Sequence, residues 1–449
     1  MIRLKLSELA AALDCSPHST DAVVDSIVTD SRKVHYGALF AALPGSQVHG
    51  HDYAESAVKL GAVALLVSQK LDLEIPQLVV DDVLRALGIL ARLVRDRVDP
   101  VVIGITGSNG KTSVKEMLAS ILRQEGEVLA TRGNYNNELG LPLSLFELEH
   151  HHRYAVLEMG ASQAGDISYL ATIAKPDLGL ITNIGPAHLQ GFGDEEGVAA
   201  AKGELYASLP PDGWAIINAD EPWAAQWLET NTAGHVLTFG TKTHHDVHLE
   251  WQQGKPIMVT SKGKFKVELA LPGEHNLVNA AAASAAALAL DIPLQAIQEG
   301  LKSMRPVPGR LNLLRTIEGW TVIDDTYNAN PASLYSALQV LAGLQGTAWL
   351  VLGDMKELGS SSRKLHAEVG DAARLLGVSR IFATGEMTEI TVDTFGPGAS
   401  HYPDMADLIT ALQAELRAGI NCLVKGSRSM GMEAVVRAIT SEQALREAG

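Results

Sequence analysis

Cysteine is nearly absent from this chain of 449 residues: Cys15 and Cys422 are the only two, and they lie far apart. That pattern excludes a disulfide framework, offers no metal-ligand spacing and suits a reducing compartment. Long apolar runs are missing too, since the stretch from Asn279 to Leu290 falls short of the roughly 20 residues a membrane-crossing helix needs. The opening residues Met1 to Glu8 carry no apolar segment ahead of a small-residue cleavage site. These absences set the expectation of a cytoplasmic, soluble chain without a membrane span. Positive charge is in deficit, with 36 Lys and Arg against 52 Asp and Glu and a net charge of −16. Nucleic acid and anionic membranes are therefore disfavoured as partners, because both require clustered cations. Any anionic ligand must meet locally basic loops. There is no repeat of solenoid period, no low-complexity tail, and no Gly-x-Gly-x-x-Gly dinucleotide loop near the start.

What is present is an ordinary globular composition, 46% hydrophobic and 20% charged. At about 100 to 200 residues per domain, the length predicts two to four domains, with three expected, and the alternation of strands and helices gives each an α/β class. In residues 1–98, β-rich runs at 26–28, 38–42 and 63–67 alternate with helical stretches at 53–60 and 83–97, a small α/β module. Pro100 marks a natural boundary. In residues 99–309, strands at 101–106, 154–159, 178–183 and 214–218 are each followed by a turn or helix, which predicts a mostly parallel sheet with ligands at the carboxyl ends of its strands. Residues 235–272 read as short hairpin-like strands, and 276–290 as an Ala-rich helix. A hinge, Arg305-Pro306-Val307-Pro308-Gly309-Arg310, leads into residues 310–449, where runs at 320–324, 348–352, 381–384 and 421–424 predict a second, smaller α/β unit.

The most specific signal is Gly107-Ser108-Asn109-Gly110-Lys111-Thr112-Ser113, placed between the apolar run Val101 to Ile103 and the helical Val114 to Leu118. Strand, glycine-rich loop and helix in that order form a phosphate-binding loop for a nucleoside triphosphate. Its glycines admit the phosphates, its N–H groups and Lys111 supply positive potential, and the Thr112 hydroxyl is suited to a magnesium ion. The general spelling fails by one position, because Ile105 stands where the first glycine belongs. The variant Thr-Gly-x-Asn-Gly-Lys-Thr is typical of ligases that join an amino acid or peptide to a growing chain. Other candidates stay open on the residues alone. Glu158 ends an apolar strand, either as a magnesium ligand or as a solvent-facing strand end. His188 follows another strand, as a metal or phosphate ligand or as a structural histidine. Lys202 reads as a helix-surface lysine, able to approach a metal only if carbamylated. Asn136 and Asn137 lie in a run, Asn134 to Pro142, that suits either phosphate and carboxylate binding or a plain turn and helix cap. His150-His151-His152 reads as a solvated loop.

Taken in order, several motifs resemble the Mur ligase family and span nearly the whole chain. They are Thr106 to Thr112, Asn136-Asn137, Glu158-Met159-Gly160, Ala187-His188-Leu189, Lys202-Gly203-Glu204, Gly273 to Ala280, Pro308-Gly309-Arg310, Asp324 to Pro331, Leu352 to Gly359 and Lys425 to Met430. The last two, with Asp325 to Pro331, resemble the branch that adds D-alanyl-D-alanine to UDP-N-acetylmuramoyl-tripeptide. The resemblance implies an N-terminal domain for the UDP end of the substrate, a central ATPase and a C-terminal Rossmann-like domain for the dipeptide, acting as a monomer with ATP and Mg2+. It implies Glu158 and His188 as magnesium ligands with Thr112, and Lys202 as a carbamylated lysine at a second magnesium. Asn279 would contact adenine, and Arg310 and Asp325 would reach ATP across the hinge. Asn136, Asn137, Asn328, Lys425 and Arg428 are expected at the substrate. Ser31, Arg32, Gly45, Gly50 and His51 resemble the family's uridine-nucleotide segment, although His49 stands where the family commonly has Asp. The neighbouring ligase that adds a diamino third residue typically carries Asp-Asn-Pro-Arg, which does not occur here. A folylpolyglutamate synthase would lack the uridine segment, and a non-catalytic ATP-binding module would need no set of Lys111, Glu158 and His188.

Overall fold

The computed structural model describes residues 1–16, 21–45, 49–186 and 189–440. Strands and helices alternate along the chain and collect into three main sheets, with one short extra pairing of Leu4–Lys5 and Val23–Val24. The first sheet is parallel and four-stranded, in the order Ser26–Val28, Ala38–Ala41, Ala64–Val67 and Gln77–Val79. Its two inner strands are buried at every residue, as the unbroken apolar runs of a sheet covered on both faces require.

The helix Val83–Val98 follows. Asp82 starts it by accepting a hydrogen bond from the Arg85 N–H at 3.0 Å, and Asp99, left-handed at φ 52°, ends it just before Pro100. Its apolar face packs on the helices Gly140–Leu145 and Asp166–Ala174. One continuous core therefore runs from Leu66 and Leu87 to Leu145 and Ile173, tying the small sheet to the next layer.

The second sheet has nine strands, ordered Gly263–Lys266, Lys255–Thr260, Val247–Gln252, His235–Gly240, Trp214–Asn218, Leu178–Ile181, Val101–Thr106, His152–Glu158 and Glu127–Ala130. From Val101–Thr106 the chain runs out to the edge at Glu127–Ala130, returns at His152–Glu158 and then crosses to Leu178–Ile181. Strand order reverses at the phosphate-loop strand, which opens a crevice at its carboxyl end. The helix Lys111–Leu122 packs on Glu274–Ala289 and Leu294–Ser303 on one face. The Ala-rich helix is buried over most of its length, and its small side chains let it lie close to its neighbours.

The hairpin expectation for residues 235–272 is corrected in part. His235–Gly240 extends the parallel sheet beside Trp214–Asn218, and only from Val247–Gln252 onward does pairing turn antiparallel. The local pattern of short alternating runs around the left-handed Gly254 is that of a hairpin. A parallel partner some twenty residues upstream leaves no mark on it.

The third sheet orders its strands Asn312–Arg315, Thr321–Asp325, Ile420–Lys425, Thr347–Gly353, Arg380–Thr384 and Ala399–Tyr402, parallel except for the first. It has a separate apolar core on each face. The last strand in sequence, Ile420–Lys425, is inserted in the interior and buried throughout. A fully buried leucine there, such as Leu423, contributes about 1.5–3 kcal/mol.

Candidate active site

Behind Val101–Thr106 the chain turns through Gly107 at φ +147°, where a β-carbon would lie 1.9 Å from the Thr182 hydroxyl, and through Gly110 at φ +79°, where it would lie 2.6 Å from Asn279 Oδ1. Only glycine fits either place. The loop is propped by the segment after the neighbouring strand. Ser108 N–H donates to the Asn183 carbonyl at 2.9 Å and Asn109 N–H to Asn183 Oδ1 at 3.0 Å. The Asn109 carbonyl accepts from Thr182 Oγ1 at 2.6 Å and from Asn183 Nδ2 at 3.0 Å. Two loop N–H groups are thus engaged within the protein. Those of the first helical turn, at Lys111, Thr112 and Ser113, have no intrahelical acceptor, the arrangement that suits an anion.

Lys111 donates to the Gly107 carbonyl at 2.6 Å. Burial pulls its pKa below the ordinary lysine value; Glu158 opposes this, and the nearby Arg310 adds to it. Glu158 ends the strand His152–Glu158 and is only 3% exposed. Its carboxylate accepts from Thr112 Oγ1 at 2.9 Å and from Asn136 Nδ2 at 2.8 Å, so it faces inward rather than to solvent. Asn137 takes part in the turn of the plainer reading, its Oδ1 accepting from Gly140 N–H at 2.8 Å just ahead of the helix Gly140–Leu145.

Lys202 overturns the surface-lysine reading. It lies on the inner side of the helix Glu195–Ala207, 2% exposed, with its ammonium 5.9 Å from the Phe192 ring. The run of small residues around it, Ala199 to Ala201 before and Gly203 after, hides which face is buried, so periodicity could not place it. Burial first, and repulsion from Lys111 second, push its pKa down to about 7. His188 lies outside the described residues.

The third sheet reaches over this floor. Gly309 N–H donates to Asp324 at 3.0 Å and Leu311 N–H to Asp325 at 3.2 Å, fixing the hinge end to a strand edge. Arg310, held between them, donates to Thr112 Oγ1 at 3.3 Å and lies 3.8 Å above the Tyr327 ring, a close cation–π contact. Arg428 approaches the same ring at 5.8 Å. Asn330 Nδ2 donates to Asn109 Oδ1 at 2.7 Å. Asp325 and Lys425, expected separately at nucleotide and substrate, form one buried ion pair because they are register partners on adjacent parallel strands. Lys425 also donates to the Asn328 carbonyl at 2.9 Å.

These elements enclose a cleft of about 1190 Å3. A single small ligand takes roughly 300–1,000 Å3, so this one has room for more than one. Gly107 to Thr112, Asn136, Asn137, Glu158, Lys202, Arg310, Asn328 and Arg428 line it. Asn279 is buried beneath Gly110 with Nδ2 on Asn276, and Asp325 and Lys425 are likewise off the lining. Ser113 is the third residue of the loop helix and not a lining residue either. Ser31, Arg32, Gly45, Gly50 and His51 lie by the first sheet, away from the cleft, which takes Asp82, Leu84 and Arg85 from that region instead. Gly50 packs its backbone on Leu43, its N–H donating at 2.9 Å, and His51 accepts from Ser68 N–H at 3.3 Å. Sequence reasoning does not single out Tyr327, Asn330 or Lys356 among the lining residues. The first two sit inside the string Asp324 to Pro331, where the residues beside a reached carboxylate were the available signal.

Among the described residues no group of three His, Cys, Asp or Glu side chains forms a metal cluster. The Thr112 hydroxyl and Glu158 carboxylate, hard oxygens in contact beside the loop, are nonetheless the donor set that Mg2+ takes alongside phosphate and water.

A phosphate loop on a mostly parallel sheet, facing a cleft covered by a further α/β sheet, together with the family matches, defines the class of ATP-dependent ligases. Family models match in three segments: Mur ligase family, catalytic domain, at residues 23–125; Mur ligase middle domain at 105–287; and Mur ligase, glutamate ligase domain, at 309–428. The chain is 42% identical over 448 residues to the UDP-N-acetylmuramoyl-tripeptide--D-alanyl-D-alanine ligase of Escherichia coli K12, covering 98% of this chain and 99% of the relative. In structure it resembles MurF from Acinetobacter baumannii, with a TM-score of 0.89, 35% identity and coverage of 97% and 98% of the two chains. It also resembles the Thermotoga maritima MurF ligase in complex with ADP, with a TM-score of 0.82, 28% identity and coverage of 94% and 98%. The chain belongs to the Mur ligase family.

Proposed function

We propose that this chain joins D-alanyl-D-alanine to UDP-N-acetylmuramoyl-tripeptide in an ATP-dependent reaction of cytoplasmic cell-wall precursor synthesis. The observation that carries this reading is the convergence of Lys111, Glu158, Lys202 and Arg310, from separate elements of two sheets, on one end of a cleft large enough for several ligands. The whole-length likeness to ligases of that name supports it.

A carboxylate oxygen is a poor leaving group, so the tripeptide's terminal carboxylate attacks the γ-phosphorus of ATP, forming an acyl phosphate and releasing ADP. The amine of D-alanyl-D-alanine then attacks the acyl carbon; inorganic phosphate leaves and the amine proton is lost. In this scheme the first-turn N–H groups, Lys111 and Arg310 neutralise the charge of the transferring phosphoryl group. Magnesium held by Thr112, Glu158 and His188 supplies further charge neutralisation when bound. Lys202 is suited to carbamylation, because only a neutral amine adds carbon dioxide and burial keeps much of it neutral near pH 7. Adenine is assigned to the Asn279 side of the loop and its ribose to the Asp325 region. Residues 1–98, through Ser31, Arg32, Gly45, Gly50 and His51, are assigned to the UDP end, 99–309 to ATP, and 310–449, with Asn328, Lys425 and Arg428, to the dipeptide.

Phosphate release measured with each substrate omitted in turn tests this. Release that requires ATP, UDP-tripeptide and D-alanyl-D-alanine together is expected. ATP binding without dipeptide-dependent phosphate would overturn the ligase reading.

A further inference from the structure

The amide pair Asn109–Asn330 joins residues 221 positions apart that both line the cleft, and the ligase reading does not account for it. Asn330 caps the helix Pro331–Ala342: its Oδ1 accepts from Ser333 N–H at 2.9 Å, and its own N–H donates to Ser333 Oγ at 3.2 Å. This reciprocal box fixes the amide. With the oxygen turned to the helix, Nδ2 is the group that points outward, and it meets Asn109 Oδ1 at 2.7 Å. The loop side is held as firmly, since the N–H and carbonyl of Asn109 are both bound by Thr182 and Asn183. Neither partner can withdraw without disturbing a helix start or the phosphate loop.

The residue type is informative. Ser, Thr and Asp cap helices about as well as Asn, but none caps with one side-chain atom while donating an N–H from another. The other side-chain hydrogen bond from Arg310 to Thr112 runs through a long, rotatable arm, whereas the amide pair is short and stiff. We infer that Asn330 is a positioning residue that locks the third sheet onto the phosphate loop through Asn109, holding the cleft shut over the acyl phosphate. The inference rests on the ligase reading for its catalytic consequence. A loosened cleft admits water, which attacks the acyl phosphate, releases inorganic phosphate and regenerates the tripeptide carboxylate without an amide bond.

Asn330→Ser, which keeps the cap and deletes the donor, is the discriminating variant. We expect kcat to fall about fivefold to tenfold, the range of one lost hydrogen bond. KM for ATP should stay within about twofold, and phosphate released should exceed amide formed. In an Asn109→Ala background the serine substitution should add nothing, because coupled partners are non-additive. Hydrogen–deuterium exchange with ADP present gives a readout independent of ligation: residues 328–334 should lose protection in Asn330→Ser while the loop helix keeps its own. Parental kcat with one phosphate per amide, additive losses or unchanged exchange would each overturn the inference. If the parent enzyme makes no dipeptide-dependent phosphate but the exchange difference appears, the ligase reading fails and the lock stands.

Discussion

The loop end of the cleft and the Asp30 to Tyr53 surface of the first sheet both carry candidate ligand residues, yet they are held in opposite ways. At the loop end Glu158 and Lys202 are almost wholly buried, and Lys111 is anchored to loop carbonyls. At the other surface Arg32 is exposed and folds onto Asp30, with hydrogen bonds of 2.9 and 2.8 Å that hold the Asp30 carboxyl down to about 2. Groups set by burial hold their geometry in the absence of ligand. An exposed pair is screened, contributes little to stability and exchanges partners readily. Under the proposed function, the first region serves the chemistry and the second reversible holding of the UDP end.

The largest expected break in that comparison is Lys111→Ala. Losing a preorganised charge at the transferring phosphoryl group should lower kcat by about a thousandfold or more in a coupled ADP-release assay. Lys202→Ala should follow at about a hundredfold, restored in part by a short carboxylic acid that refills the anionic position. Unsupplemented mutant rates equal to the parent's would remove Lys202 from the mechanism.

Lys202 also sets a pH dependence. Its folded pKa lies near 7, below the ordinary lysine value of 10.5, so the folded state binds fewer protons than the unfolded state between these limits. Its contribution to stability is complete above the ordinary value and is lost as pH falls through about 7. In carbon-dioxide-free buffer, denaturant titrations should show Lys202→Met flattening the rise in stability from pH 7 to 10. An unchanged slope would show that Lys202 is not the buried group responsible.

Smaller effects separate the regions further. Tyr327→Leu removes the face that supports Arg310 and should lower kcat about tenfold, while Tyr327→Phe keeps the ring and most of the rate. Arg32→Ala should raise KM for the UDP substrate only about threefold to tenfold with kcat unchanged, the scale of an exposed charged contact. A large kcat loss at Arg32 would erase the distinction between the two surfaces.

Legibility followed the range of the interactions. The runs at 101–106 and 214–218 match their strands because contiguous apolar residues report burial locally. The 235–272 segment was half legible, since its antiparallel turns are local and its parallel partner is not. Within the site, Lys111 and Thr112 were readable from spacing alone. The inward face of Lys202 was not, because Ala199 to Ala201 and Gly203 beside it carry no facial signal, and neither was the Asp325–Lys425 pair, which depends on strand register.

By itself the sequence determined the α/β class, the phosphate loop and its ligase-type spelling, because each rests on residue types at short fixed spacing. Only the tertiary structure decided that Lys202 is buried with no anionic partner among the described residues, that Arg310 meets Thr112, and that Asn330 reaches Asn109. Those outcomes depend on desolvation and on the seating of one sheet against another, and neither is encoded in any single stretch of chain.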